Sequence, residues 1–331
     1  MNSAPSIQAS KLTKVFGKRA VVDAVDLTVH TGELYALLGD NGAGKTTTIN
    51  MLTTLLKPTS GRFSIGGFDG ISQSEQAKAA FAVVSQEVSL YQELTAYENL
   101  LFISRLYGIK RREADQRIDQ LLRQWDLYNR KDDRVVEYSG GMQRKMSIAM
   151  ALLRRPKVLF MDEPTVGLDP SSRHHIWEIL KELRNEGVTI FLTTHYLEEA
   201  ELLADRVGII VTGKLVIEGT IDELRDKLRG MRTISVKLSG KVEQSTIASR
   251  VAQLEERFRS GVKYDALRQS ITFIPPQDRP FSETLRALTG WLEEEQLSYS
   301  GLATSEPSLE ELFLSVAHHG GEAPPSMEGK S

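Results

Sequence analysis

The sequence predicts an α/β domain followed by a smaller α+β module, and two observations lead to this prediction. Up to residue 230, short apolar runs alternate with segments of helical spacing, which is typical of a largely parallel sheet covered by helices. Within residues 231–317, period-two stretches alternate with helical ones, which is typical of an α+β module. A chain of 331 residues has room for both domains.

Apolar runs bounded by glycine or acidic residues predict the strands of the first domain. These runs are ELYALLG at residues 33–39, KVLFMDE at 157–163 and VTIFLTTH at 188–195. The segment RVGIIVTGKLVIEG at residues 206–219 predicts two strands joined at a Thr-Gly turn.

Apolar residues three and four positions apart predict the helices. In the first domain they occur in YENLLFISRLYGI at residues 97–109 and in RREADQRIDQLLRQWDL at 111–127. The second module has predicted helices at 242–258 and 281–297 and predicted strands at TISVKL and SITFIPP, so we expect a ferredoxin-like arrangement. The predicted organisation is a domain at 1–230, a module at 231–317 and a disordered tail at 318–331.

Composition excludes several classes of protein. Hydrophobic residues make up 40% of the chain and charged residues 26%, the balance of a soluble globular protein. A formal charge of −3 argues against a nucleic acid partner. The chain has no cysteine, which excludes disulfides and thiolate metal sites. It also lacks a signal-peptide pattern and any apolar run of about 18 residues, so we expect a membrane role only through a partner.

The segment after the first predicted strand fits the phosphate-loop pattern of Gly, four residues, Gly-Lys-Thr. Glycines let backbone N–H groups converge on an anion, and the following helix directs its positive dipole end to the same point. The lysine would reach the β- and γ-phosphates of a nucleotide and the threonine would ligate Mg²⁺. The predicted nucleotide contacts are Gly39, Asp40, Asn41, Gly42, Ala43, Gly44, Lys45, Thr46 and Thr47.

Two adjacent carboxylates end another predicted strand. Asp162 and Glu163 follow the apolar run that begins at Val158. At a strand end beside a phosphate loop, Asp162 could hold Mg²⁺ and Glu163 could orient or polarise the attacking water.

A third segment, YSGGMQRKMSIAMALLRRP, begins with Ser139 at a predicted helix N-cap. Such a start offers a hydroxyl, free backbone donors and a dipole that suit a phosphate, although an ordinary capped helix would have the same pattern.

Together, the phosphate loop, Ser-Gly-Gly-Met-Gln, the Asp-Glu-Pro strand and a later Thr-Thr-His resemble the ATPase of ATP-binding cassette (ABC) transporters. The motifs follow that family's order between Ile7 and Gly230, and Ser139 precedes Asp162 by 23 residues. The resemblance implies a P-loop NTPase of the ABC type, with a helical subdomain and with ATP and Mg²⁺ as cofactors.

The resemblance also implies roles for single residues. Phe16 would stack on adenine, and Gln86 would contact Mg²⁺ and the water. His195 would contact the γ-phosphate, and Asp169 would cross a dimer interface. Catalysis is thus assigned to Glu163, His195 and Gln86, and the metal to Thr46, Gln86 and Asp162. The signature residues that would reach a partner chain's ATP are Ser139, Gly140, Gly141, Met142 and Gln143.

In this family two cassettes pack head to tail, and ATP binding closes the pair. The resemblance therefore implies a homodimer on the cytoplasmic face of the membrane, attached through separate integral membrane permease subunits. The loop after Gln86 is the expected contact with them. This sequence departs from the usual pattern at Ser85, Tyr138 and Met142, none of which removes a group that contacts phosphate or metal.

The segments TTHYLEEAELLADRV at 193–207 and SEPSLEELFLSV at 305–316 resemble the ATPases of daunorubicin-resistance-type exporters. The expected function is therefore ATP hydrolysis that energises efflux. Two alternatives stay open, namely a soluble cassette ATPase with a regulatory role and a C-terminal module that senses a ligand.

Overall fold

A computed structural model describes residues 5–87, 89–227, 233–239, 244–258, 262–265, 269–273 and 280–305. Contacts separate two compact units, the first ending at Ile221 and the second beginning at Asp222. The predicted boundary at residue 230, the exporter-type segment from residue 306 onward and the predicted tail lie outside the described residues.

The first unit contains most of the described elements. Its strands are β1 (Pro5–Phe16), β2 (Arg19–His30), β3 (Leu34–Leu38), β4 (Ser60–Ile65), β5 (Phe68–Asp69), β6 (Phe81–Val84), β7 (Val158–Asp162), β8 (Thr189–Thr194), β9 (Arg206–Val211) and β10 (Lys214–Thr220). Its helices are α1 (Lys45–Leu52), α2 (Ser74–Ala80), α3 (Ala96–Leu106), α4 (Arg111–Gln124), α5 (Gly140–Leu152), α6 (Pro170–Asn185) and α7 (Leu197–Leu203), and α8 (Ile221–Lys227) follows.

A six-stranded sheet with the order β10-β9-β3-β8-β7-β6 forms the centre of this unit. All neighbouring pairs from β9 to β6 are parallel, and β10 pairs with β9 in the antiparallel sense. Strands β3, β7 and β8 are buried along their whole length, which explains the apolar runs in their sequences. The predicted strands and the turn between β9 and β10 are confirmed.

A second, antiparallel sheet with the order β2-β1-β4-β5 packs against the first. The two sheets and α1 enclose a hydrophobic core that includes Leu12, Phe63 and Met51. Within it, the rings of Tyr35 and Phe191 stack with their centroids 5.4 Å apart. This sheet was not among the predicted elements.

Helices α3, α4 and α5 form the predicted helical part of the unit. A capping box begins α3, because the hydroxyl of Thr95 accepts from the backbone N–H of Glu98 and the Glu98 carboxylate accepts from that of Thr95. In α4 the apolar stripe of Ala114, Ile118 and Leu122 is buried, so its charged side is the solvated face that the periodicity predicts.

The second unit has the strand order β12-β13-β11-β14 with every neighbouring pair antiparallel. Its elements are β11 (Thr233–Leu238), α9 (Gln244–Phe258), β12 (Val262–Asp265), β13 (Ser270–Phe273), α10 (Phe281–Glu294) and β14 (Tyr299–Ser305). This is the β-α-β-β-α-β arrangement that the sequence predicts. Its core includes Val236, Phe258, Phe273 and Trp291.

Among the helices that the structure describes, none combines the length and the apolar character that crossing a bilayer requires.

Candidate nucleotide-binding site

Four neighbouring strands of the central sheet deliver the predicted site residues to one edge. Gly39 follows β3, His195 follows β8, Glu163 follows β7 and Gln86 lies just after β6. Because these strands are parallel neighbours, their carboxyl ends meet at the same edge of the sheet, where α/β proteins commonly bind ligands.

The predicted phosphate loop joins β3 to α1 in a conformation that two of its glycines permit. A Cβ on Gly39 would lie 2.6 Å from the carbonyl oxygen of Ile210. Gly44 has a φ of +109°, and a Cβ there would lie 2.7 Å from the carbonyl oxygen of Val21. Both close approaches exclude a side chain, so the loop is built against the neighbouring strands.

The loop borders a cavity of about 170 Å³ at this edge. The residues that line it are Val21, Asn41, Gly42, Gly44, Lys45, Thr46, Thr47, Gln86 and Glu163. All except Val21 were predicted to contact nucleotide, metal or water.

Lys45 is buried at the bottom of this arrangement, with 4% of its surface exposed. Its Nζ donates to the carbonyl oxygens of Gly39 at 2.7 Å and Asp40 at 3.1 Å. The same ammonium lies 3.2 Å from Oε1 of Glu163. A buried cation held in this way presents positive charge to the cavity, as a phosphate ligand requires.

Glu163 is buried in a strained conformation with a φ of +45°. The carbonyl oxygen and the hydroxyl of Thr193 both accept from its backbone N–H, at 3.1 and 3.2 Å. Its Oε2 lies 3.2 Å from Nδ1 of His195, in a geometry that is not that of a directed hydrogen bond. Residues held in sparsely populated backbone regions cluster at functional sites, where their surroundings enforce the conformation.

Asp162 is buried beside Glu163, and its Oδ1 accepts from the hydroxyl of Thr193. A hydroxyl at Thr46 and a side-chain amide at Gln86 line the adjoining cavity. These oxygen donors suit a hard cation such as Mg²⁺, which proteins commonly bind through one carboxylate together with phosphate oxygens.

Arg144, to which the sequence analysis gave no role, lies directly behind this site. Its guanidinium donates to the backbone carbonyls of Ser85, Gln86, Asp162 and Pro164. Burial lowers the pKa of Arg144 to about 10, and the negative charges of Glu199 and Asp162 partly oppose this shift. The charged residue lies in the buried stripe of α5, and that position was the signal available in the sequence.

Glu199 is a second buried charged residue that the sequence analysis did not predict. Its Oε1 accepts from the hydroxyl of Thr165 at 3.0 Å and from the indole N–H of Trp177 at 3.2 Å. Burial raises the pKa of Glu199, while hydrogen bonds from Thr194, Thr165 and Trp177 lower it. Glu199, which lies in α7, therefore links the turn after Glu163 to α6.

The signature segment lies at the start of α5, apart from the cavity. The hydroxyl of Ser139 caps the helix by accepting from the backbone N–H of Met142 at 3.3 Å. Ser139 and Gly140 are exposed. Gly141 packs so closely on α6 that an added Cβ would lie 2.3 Å from Oγ of Ser172.

Asp169 joins this arrangement from the loop before α6. Its carboxylate accepts from the backbone N–H of Ser172 at 3.0 Å and from its hydroxyl at 2.6 Å. Ser172 thus connects Asp169 to the start of the signature helix. The structure places these two predicted interface segments side by side, and neither lines the cavity.

The remaining signature residues bond within their own chain. The amide of Gln143 donates to the carbonyl oxygens of Val135 and Tyr138, at 3.3 and 3.2 Å. Tyr138 donates its hydroxyl to the carbonyl of Arg130, and burial raises the pKa of Tyr138 to about 12. The side chain of Gln143 therefore holds the turn before α5 in place.

Phe16 ends β1 and is 50% exposed, with Nζ of Lys14 5.2 Å from the centre of its ring. It does not line the cavity beside the phosphate loop. An exposed aromatic ring is nevertheless able to stack on a base.

Comparisons with known proteins agree with this geometry. The family model described as ABC transporter matches residues 22–166. The daunorubicin/doxorubicin resistance ATP-binding protein DrrA of Streptomyces peucetius is 36% identical over 321 residues, which cover 96% of this chain and 95% of the relative. The Nod factor export ATP-binding protein I of Rhizobium etli is 41% identical over 231 residues, which cover 70% of this chain and 73% of the relative.

The fold has a close counterpart among solved structures. An ATP binding subunit of an ABC transporter superposes with a TM-score of 0.61 at 34% identity, covering 67% of this chain and 92% of that one. The resemblance expected from the motifs is thereby confirmed, as is the P-loop fold. The chain belongs to the ABC transporter family and is one of its ATP-binding, ATP-hydrolysing subunits.

Proposed function

We propose that this chain energises export across a membrane by hydrolysing Mg·ATP at the cavity beside the phosphate loop. The observation that carries the proposal is the meeting of Lys45, Glu163 and Gln86 around one cavity, with Asp162 beside it. It is the set of groups that phosphoryl transfer to water needs: a cation for phosphate oxygens, ligands for a metal and a carboxylate for the water.

Each residue has a part in this proposal. The backbone N–H groups of residues 39–46 and Nζ of Lys45 bind the phosphates. Thr46, Gln86 and Asp162 would hold Mg²⁺, which would supply positive charge for the phosphate oxygens. Glu163 orients the attacking water and polarises it, and His195 contacts the γ-phosphate.

A homodimer completes the site in this proposal. Ser139 and Asp169 are exposed and lie away from the cavity of their own chain, and the packing of Gly141 on Ser172 brings their two segments together, which supports their use by a second copy. Two cassettes arranged head to tail would each place Ser139 on the other's ATP. Closure on ATP and opening after hydrolysis would then supply the motion that drives transport.

Membrane subunits are the proposed partners, and the cytoplasmic face of the membrane is the proposed location. The names of the relatives refer to drug resistance and to export, which favours efflux over import. Near Gln86, Tyr91 and Phe102 are exposed and form an edge-to-face pair with their centroids 5.0 Å apart. Exposed aromatic and aliphatic side chains such as these, with Leu106 on the same helix, suit a protein partner.

The test has a biochemical part and a cellular part. Purified chain should hydrolyse ATP with Mg²⁺ and lose this activity in EDTA. Lys45→Met should be inactive, while Lys78→Met, at an exposed position of α2 outside the cavity, should stay active. An integral membrane protein should copurify with the wild-type chain from a detergent extract of its native membranes. A chain that hydrolyses ATP but stays wholly soluble in that experiment would instead have the regulatory role.

A further inference from the structure

The side chain of Arg144 joins α5 to two other segments of the nucleotide site by hydrogen bonds to their backbone carbonyls. It lies in the first turns of α5, the helix that begins at the signature residues. Its Nη1 donates to the carbonyl of Ser85 at 2.5 Å and approaches that of Gln86 at 3.4 Å. Its Nε donates to the carbonyl of Pro164 at 2.7 Å, and its Nη2 donates to that of Asp162 at 3.3 Å.

Glu163 lies between Asp162 and Pro164, the two residues at the end of β7 that Arg144 holds. The peptide carbonyls on either side, those of Asp162 and Pro164, bond to the same guanidinium. Glu163 itself has a φ of +45°, a conformation that persists only where the surroundings enforce it. The bonds from Arg144 are a direct means of enforcing it.

The charge of Arg144 is not used in an ion pair with any carboxylate that the structure describes. Only 3% of the residue is exposed, so its burial has a cost that four backbone carbonyls must offset. A planar guanidinium carries five donors in a fixed fork, and a lysine ammonium cannot reach several separated carbonyls at once. The arrangement therefore needs an arginine rather than a cation in general.

We propose that Arg144 is a positioning residue, which holds Gln86 and Glu163 in the relative placement that hydrolysis requires. The inference rests on the proposed function, since it assumes that those two residues act on the metal and the water. Arg144 does not touch the cavity, so it acts through the residues that it holds. Its loss should slow the chemical step much more than it weakens nucleotide binding, because Lys45 and the phosphate loop make no bond to it.

The experiment compares Arg144→Lys with Arg117→Lys as a matched control. Arg117 is a partly buried arginine that donates to the backbone carbonyl of Leu153 and pairs with Glu113, and none of these three residues lines the cavity. For each full-length variant, kcat and KM for Mg·ATP are measured, together with the affinity and stoichiometry of a fluorescent ATP analogue. Thermal unfolding of each variant reports any loss of stability.

For Arg144→Lys we expect kcat per bound nucleotide to fall at least ~10-fold, as misplacement of catalytic groups by a fraction of an ångström does, with the analogue's affinity changed less than ~3-fold. Arg117→Lys should retain wild-type kcat. Adding Arg144→Lys to Glu163→Gln should lower single-turnover hydrolysis by a smaller factor than Arg144→Lys does in the wild-type chain, since part of the effect of Arg144 passes through Glu163.

Other results overturn the inference. If Arg144→Lys hydrolyses ATP at the wild-type rate, or loses kcat, binding stoichiometry and stability in the same proportion, the arginine has only a structural role and the proposed function still stands. A wild-type chain that binds the analogue without hydrolysing Mg·ATP would refute the proposed function itself, and with it this inference.

Discussion

Oε1 of Glu163 lies 3.2 Å from Nζ of Lys45, and both side chains are more than nine-tenths buried. The lysine that should bind phosphate is thus already in contact with the carboxylate that should act on water. A phosphate that enters the cavity must compete with this carboxylate for the ammonium and also meets its negative charge. Binding and hydrolysis therefore make opposite demands on Glu163.

The first prediction concerns Glu163→Gln. Removing the negative charge should strengthen ATP binding by roughly 3- to 10-fold, a modest gain because the Coulomb energy is screened even at partly buried sites. Hydrolysis should fall at least ~100-fold, since a positioned catalytic group is lost. Titration with a fluorescent ATP analogue and a phosphate-release assay measure the two effects. The exposed Glu198→Gln is the control, and weaker binding by Glu163→Gln would contradict the argument.

The second prediction compares two glycines of the phosphate loop. Both Gly42 and Gly44 have positive φ, so an alanine at either costs about 1–2 kcal/mol of backbone strain. At Gly44 the new Cβ also meets the carbonyl oxygen of Val21 at 2.7 Å, whereas the space around Gly42 is open. Gly44→Ala should therefore lower the free energy of unfolding by a further ~1–3 kcal/mol, as measured by urea denaturation. Equal losses in the two variants would show that the close approach is relieved by movement of the loop.

The third prediction tests whether two chains share each site. Ser139→Ala and Lys45→Ala should each abolish turnover as homodimers. When they are mixed, one composite site of each heterodimer loses both groups and the other keeps both, so up to about half of the wild-type rate per heterodimer should return. No recovery in a mixture in which heterodimers are shown to form would count against sharing.

Loss of the Ser139 hydroxyl also removes a helix cap worth about 1 kcal/mol. Ser139→Asp separates the two roles, because aspartate is a good cap but repels a phosphate. It should unfold at the wild-type temperature and be inactive. An active Ser139→Asp variant would show that this residue does not face a nucleotide.

The fourth prediction follows from the burial of Glu199. Its pKa is raised in the folded chain, so the folded state binds a proton more tightly than the unfolded state. Stability from this group is therefore present below the unfolded-state pKa of about 4.3 and is lost as the pH rises through the folded-state pKa. Glu199→Gln keeps an acceptor for Thr165 and Trp177 and removes this loss.

Urea denaturation at several pH values checks the prediction. The difference in free energy of unfolding between the Glu199→Gln variant and the wild type should grow in favour of the variant as the pH rises from about 4.5 to about 8. The exposed Glu198→Gln should show no such trend. A difference that is constant with pH would mean that the hydrogen bonds to Glu199 offset its burial.

Strands buried on both faces were the most predictable part of the fold. β3, β7 and β8 are buried along their whole length, because helices and the second sheet cover them on either side, and their apolar residues therefore stand out as runs in the sequence. Strands β1 and β2 escaped prediction. Register shifts interrupt their pairing, so inward and outward residues do not alternate regularly along them.

Site residues were predictable where their chemistry requires a local sequence motif. They were not predictable where only the fold brings them to the site. Lys45 and Asp162 belong to motifs whose residue types and spacing indicate phosphate and metal binding. Arg144 and Glu199 are single charged residues in buried helical stripes, and their partners come from distant segments of the chain. A charged residue at a position where the helix period demands an apolar one was the available signal.

The left-handed backbone of Glu163 has a consequence for how such a chain can change over time. Glycine would relieve the strain of this backbone, but Glu163→Gly would also leave the ammonium of Lys45 buried without its carboxylate. The two effects act in opposite directions on the free energy of unfolding. A lineage released from the need to break down ATP could therefore exchange this glutamate for glycine without losing stability only if Lys45 changed with it.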